Sequence, residues 1–133
     1  MPEFPVNRAG AILAVADVDR SVAFYRDLMG FAVDALYDDP PYASLSCAGM
    51  RLSLAEQGHP AEDRPGVMMV APPDPASAAV VLVLEVADCL AVHARLVEAG
   101  ADMLAPPFSP PWGGHRFFVR DPDGYLVEVE QPA

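Results

Sequence analysis

Ala11-Ile12-Leu13-Ala14-Val15-Ala16-Asp17 and Val80-Val81-Leu82-Val83-Leu84-Glu85-Val86-Ala87-Asp88 decide the fold, because they are one segment written twice. Each is a β-like apolar run that closes on Val-Ala-Asp. Each leads into a helical pattern that ends at a glycine, Gly30 in the first case and Gly100 in the second. Further along, Gly49-Met50-Arg51-Leu52-Ser53-Leu54 matches Gly124-Tyr125-Leu126-Val127-Glu128-Val129. The three matches keep their order at offsets of 71, 70 and 75 residues. They read as a duplication of one supersecondary unit.

Working outward, each copy reads strand, helix, then three strands. The first helix is predicted over 18–29, capped by Asp17, with Val18, Val22, Tyr25 and Leu28 or Met29 as its apolar stripe. The second is predicted over 89–99, capped by Asp88, with Leu90, Ala94 and Val97 on one side and His93 beside them. A histidine so placed is more often packed or solvated than a ligand. Strands are expected near 31–37, 42–47 and 50–56, and again near 102–106, 115–120 and 125–130. Asp121-Pro122-Asp123-Gly124 is a turn signal between the last two. The fold class is therefore α+β. One domain over 1–133 holds a first βαβββ module at 8–56 and a second at 78–131. Between them, 57–77 carries Gly58, Pro60, Pro65, Gly66, Pro72, Pro73 and Pro75 and reads as a linker. Its Val67-Met68-Met69-Val70 reads either as a lid over a ligand or as a short strand.

The bulk numbers narrow the function. A chain of 133 residues with 53% apolar content suits one domain with a sizeable core. No apolar run approaches the length of a membrane span, so no membrane partner is expected. Met1-Pro2-Glu3-Phe4-Pro5 lacks a secretory pattern, and a cytoplasmic location is the expectation. Cys47 and Cys89 are too few for a disulfide framework. Cys89 follows Asp88 at a helix start, where a thiol pKa can fall; a small buried residue is the other reading. The net charge of −11 disfavours nucleic acid and favours a cationic ligand.

Alternation along the strands assigns their faces. Leu13, Val15, Leu52, Leu54, Leu82, Leu84, Phe118, Val127 and Val129 share one parity and are expected under the helices. The other parity holds Gly10, Ile12, Ala14, Arg51, Ser53, Val81, Val83, Glu85, His115, Phe117, Leu126, Glu128 and Glu130. Helices on one face leave this second face open, and if it curls it lines a cavity. A four-residue turn at 121–124 sets Phe117 opposite Glu128 and His115 opposite Glu130, with His115 and Glu128 diagonal. Such a His–Glu pair serves as a cross-strand ion pair, a polar anchor for a ligand, half a metal site or acid/base machinery.

Two stretches resemble the vicinal oxygen chelate superfamily of glyoxalases, bleomycin-resistance proteins and extradiol dioxygenases. They are Val15-Ala16-Asp17-Val18-Asp19-Arg20-Ser21-Val22-Ala23-Phe24-Tyr25-Arg26-Asp27-Leu28-Met29-Gly30-Phe31 and the closing Pro111–Glu128, with its Trp112-Gly113-Gly114-His115 and Asp121-Pro122-Asp123-Gly124. The resemblance implies two βαβββ modules in an incomplete barrel, helices on its outer face and a concave ligand cavity within. It also implies a homodimer. The family's metalloenzymes bind a divalent ion through four equivalent positions, which carry over to Gly10, Ser53, Val81 and Glu128. Only Glu128 ligates well, so neither a metal nor another cofactor is expected.

What remains is similar to the metal-free members that sequester or carry an aromatic antibiotic or related metabolite. Trp112 and Phe108, in the proline-stiffened stretch 106–114, then offer flat faces to an aromatic or cationic ligand. Tyr42 and Tyr37 extend that wall, and Glu128, Phe117, His115 and Ser53 complete the expected ligand contacts. The competing reading is a metal-dependent lyase, isomerase or dioxygenase with a rearranged site at Glu128 and His115. A partner-binding module with an empty cavity is a third.

Overall fold

The computed structural model describes residues 3–133. The first copy runs β1 (Gly10–Val15), α1 (Val18–Ala23), β2 (Ala32–Asp38), β3 (Pro41–Cys47) and β4 (Met50–Glu56). The second runs β5 (Val81–Glu85), α2 (Cys89–Glu98), β6 (Asp102–Met103), β7 (His115–Arg120) and β8 (Leu126–Gln131). Each copy is one open four-stranded sheet, in the order β1-β4-β3-β2 and β5-β8-β7-β6. In both, the first strand pairs parallel with the last and the remaining pairs are antiparallel. The repeated segments of the sequence therefore build the same topology twice. The chain divides into two compact units between Ala71 and Pro72, inside the stretch 57–77.

The helix starts follow from their caps. Asp17 accepts a hydrogen bond from the Arg20 N–H at 3.1 Å, and Asp88 accepts one from the Ala91 N–H at 3.0 Å. After α1 the coil widens into one π-helical turn over Phe24–Leu28. That turn brings Phe24 and Tyr25 inward together. Tyr25 then meets Phe24 and Phe31 edge to face, with centroids 5.0 and 5.5 Å apart.

Around these rings Val15, Leu45, Leu52 and Leu54 form the first core, beneath α1. In the second unit Cys89, Leu96, Phe117, Val119, Val127 and Val129 pack between α2 and its sheet. Cys89 is a packing residue. Its Sγ lies 3.6 Å from the Val129 carbonyl, and burial, aided by the Asp88 charge, pushes its thiol pKa up. The helix start does not activate it. Among the described residues no helix is long and apolar enough to cross a membrane.

One segment is shorter than expected, and at another, one of two expected alternatives falls. β6 has two residues where the sequence predicts a strand over 102–106. Leu104 N–H still donates to the Phe118 carbonyl at 3.2 Å, but Pro106 and Pro107 have no N–H to continue the ladder. Val67-Met68-Met69-Val70 is not a strand. It is tied down irregularly, by Gly58 N–H on the Met69 carbonyl at 3.0 Å and by Arg64 on the Val67 carbonyl at 2.6 Å.

Candidate functional site

The geometry of the second unit turns on how Asp121 closes the β7–β8 hairpin. Asp121 is buried, and its Oδ1 accepts from the N–H groups of Asp123 and Tyr125, each at 2.9 Å. Its own N–H donates to the Tyr125 carbonyl at 2.9 Å. The carboxylate therefore organises five residues, 121–125, rather than four, and the flanking pair is Arg120 with Leu126. From there the register runs Phe118 with Glu128, Phe117 with Val129, Arg116 with Glu130 and His115 with Gln131.

This corrects the expected pairing of Phe117 with Glu128 and of His115 with Glu130. A slip of one residue moves every side chain of a strand to the other face. Phe117, 2% exposed, belongs to the core, where the His93 ring of α2 meets it edge on at 5.1 Å. Phe118, expected in the core, belongs to the open face. His115 faces away from Glu128, and its Nδ1 lies 3.1 Å from the Ser109 hydroxyl. The rearranged metal site of Glu128 with His115 therefore does not form.

The open face gains Arg116 in their place. Its guanidinium carbon lies 5.6 Å from the Phe108 ring centroid, 5.6 Å from that of Trp112 and 5.5 Å from that of Phe118. The proline-rich loop is held at this distance by two devices. Phe108 and Arg116 exchange backbone hydrogen bonds of 2.8 and 2.9 Å. Gly113 and Gly114 then bring the chain onto the end of β8; a Cβ on Gly114 would run into the Gln131 carbonyl, and its φ is +76°. A cavity of about 270 Å³ opens beside the rings, lined mainly by Leu104, Pro106, Phe108, Arg116 and Phe118 and bordered by Phe117. Burial raises the Glu128 carboxyl above the ordinary carboxylate range. A hydrogen bond with Glu130 and repulsion from it add to the rise, and the Arg116 charge opposes it.

The remaining expected residues gather on the first unit. Ser53, buried, lines a cavity of about 300 Å³ with Gly10, Ile12, Tyr42 and Arg51. Arg51 Nε donates to the Ser44 hydroxyl at 3.1 Å across the same face. Tyr37 lies against Tyr42, ring centroids 6.1 Å apart. So the expected set divides into Ser53, Tyr42 and Tyr37 on one sheet and Trp112, Phe108 and Glu128 on the other.

Arg116 and Phe118 are the residues that sequence reasoning missed. The signal was present: Arg116 and Arg120 are charged while Phe117 and Val119 are apolar, so alternation alone puts the arginines outside.

The four positions carried over from metalloenzymes are geometrically equivalent. Gly10 pairs with Arg51, two residues before Ser53, and Val81 pairs with Leu126, two residues before Glu128. Their chemistry does not suit a divalent ion, since a glycine and a valine offer no side-chain donor and the serine hydroxyl is a weak one. Nor is Gly10 a simple vacancy, because a Cβ there would run into the Arg51 carbonyl oxygen. Among the described residues no group of three His, Cys, Asp or Glu side chains is placed to hold a metal.

Residues 7–129 match the family model described as Glyoxalase/Bleomycin resistance protein/Dioxygenase superfamily. The chain is 31% identical over 125 residues to the ethylmalonyl-CoA/methylmalonyl-CoA epimerase of Cereibacter sphaeroides, covering 90% of this chain and 92% of that one. It is 29% identical over 128 residues to a probable lactoylglutathione lyase of Vibrio cholerae, covering 90% and 86%. Among solved structures, a glyoxalase-related enzyme from Fulvimarina pelagi superposes with a TM-score of 0.75 at 28% identity, covering 92% of this chain and 86% of that one.

Proposed function

This chain belongs to the glyoxalase, bleomycin resistance protein and dioxygenase superfamily, and from that membership we propose that it is a metal-free binder of small molecules. In this reading it sequesters or carries an aromatic antibiotic or related metabolite, as a homodimer in the cytoplasm. The observation that carries the reading is the donor set at the four metal positions, Gly10, Ser53, Val81 and Glu128. Supporting it, Phe108 and Phe118 line a cavity of a size suited to part of a drug-like ligand, and Trp112 stands against the Arg116 that lines it too.

Trp112 is 72% exposed and is the sole tryptophan. Arg116 lies over its ring at 5.6 Å, and the rest of the indole is open to a stacking partner. Titration with a panel of planar antibiotics should therefore change its fluorescence. Trp112→Ala should weaken binding by about threefold to thirtyfold and leave the fold intact. Flat emission across the panel, with Trp112→Ala binding as wild type does, removes Trp112 from the site.

The names of the relatives favour a second reading, an isomerase or lyase of the same superfamily that uses a metal. Elemental analysis of protein purified without a histidine tag separates the two. The binder should carry no stoichiometric divalent metal, and should run in light scattering at twice the chain mass of 14.2 kDa. About one Zn, Ni, Fe or Mn per chain that survives dialysis would favour the enzyme.

A further inference from the structure

We infer that Arg116 binds an oxyanion, so that the ligand of this site carries a carboxylate or similar group on a flat apolar body; the inference rests on the ligand-binding reading above. Three rings surround the guanidinium at 5.5–5.6 Å. Ring faces stabilise its charge but accept none of the hydrogen bonds that its N–H groups direct in their own plane. Arg116 Nε is buried and has no hydrogen-bond partner among the described residues.

Two neighbours set Arg116 apart in charge pairing. Arg120, on the same face, likewise has a buried Nε with no hydrogen-bond partner among the described residues, but its Nη1 has the Asp102 carboxylate at 3.8 Å. Glu130 sits directly across from Arg116 on β8, and the Arg116 charge acts on the Glu128 carboxyl, yet neither carboxylate forms an ion pair with it among the described residues. Arg116 makes no ion pair among the described residues. A buried donor without an acceptor is costly, and a planar guanidinium fork is matched best by a two-oxygen anion. An anion seated there sets its apolar body over Leu104, Pro106 and Phe118 in the 270 Å³ cavity. The net charge of −11 favours a cation in general. Among the rings, however, the guanidinium is the charge in contact; the Glu128 and Glu130 carboxyls of the same face form no ion pair with it and oppose an anion only from farther off.

The test uses two probes with one aromatic skeleton, 8-anilinonaphthalene-1-sulfonate and the uncharged N-phenyl-1-naphthylamine. Each is titrated into the full chain by probe fluorescence and by quenching of Trp112. Wild type should bind the sulfonate at least about tenfold more tightly than the neutral probe. Arg116→Gln should bring the two within about twofold of each other, while circular dichroism shows the fold retained. If Arg116→Gln does not fold, Arg116→Lys decides, since it keeps the charge and loses the fork. A preference reduced by about threefold or more supports the inference, and an unchanged one overturns it. Equal binding of both probes to wild type overturns the anion site and leaves the ligand-binding reading standing. Binding of neither probe overturns both.

Discussion

Phe117→Ala is expected to lower the free energy of unfolding by about 3–5 kcal/mol, the usual result of emptying a phenylalanine-sized space in a core. Small domains have only about 5–15 kcal/mol in total, so the variant should be conspicuously fragile in urea. Phe118→Ala, one residue along, is expected to cost about 1 kcal/mol or less and to show its effect in ligand binding instead. The contrast arises from the hairpin. Asp121 gathers five residues into the turn, so Phe117 pairs with Val129 and enters the core, while Phe118 pairs with Glu128 on the open face. Phe117 is also the residue against which His93 of α2 packs at 5.1 Å, so its loss loosens the helix as well as the sheet. Chemical denaturation of the two variants side by side checks the register directly. A stable Phe117→Ala and a crippled Phe118→Ala would return the hairpin to a four-residue turn.

Gly10→His supplies an imidazole at the first-strand position that the resemblance to the superfamily's metalloenzymes marks as a ligand position. It is expected to destabilise the protein by about 1–3 kcal/mol and to create no tight metal site. The position lacks more than a ligand. Any Cβ at residue 10 is directed into the Arg51 carbonyl oxygen of β4, so β1 must move away from its parallel partner to accept one. Even after that movement, Ser53 and Val81 remain poor donors. Thermal unfolding combined with calorimetric titration of Zn²⁺ or Ni²⁺ measures both effects. A variant as stable as wild type that binds either ion at micromolar concentration would show that the strand yields easily and that one residue separates binder from metalloprotein.

Most of the architecture was legible because it is written in local chemistry. The Val-Ala-Asp repeats fix both strand-to-helix junctions, and the aspartates act as the caps their position suggests. Apolar parity places Leu13, Val15, Leu52, Leu54, Val127 and Val129 under the helices. What escaped depends on one buried side chain folding back on its own turn. Asp121-Pro122-Asp123-Gly124 announces a turn, but its length is set locally, by the Asp121 carboxylate accepting from the N–H groups of residues 123 and 125, and only the alternation of Arg116, Phe117, Phe118 and Val119 signals it beforehand. A one-residue error there exchanges Arg116 and Phe118 for His115 and Phe117 across the whole face. The short β6 was foreseeable from Pro106 and Pro107. The irregular course of 67–70 was not, because it depends on Gly58 and Arg64 reaching carbonyls in that stretch.

The two sheets share strand order and register yet carry unlike faces: hydroxyls and Arg51 in one, rings and Arg116 in the other. A module that assembles with an identical copy of itself carries every substitution twice, so a residue useful at one position is forced upon its symmetric counterpart. Joining the copies in tandem removes that constraint. Ser53 and Glu128 occupy equivalent places and need not agree: the serine lies across from Ser44 near Arg51, the carboxylate across from Phe118. Fusion thus lets one fold hold two chemically distinct surfaces, and a change of ligand in this chain can proceed through either half while the other is left as it stands.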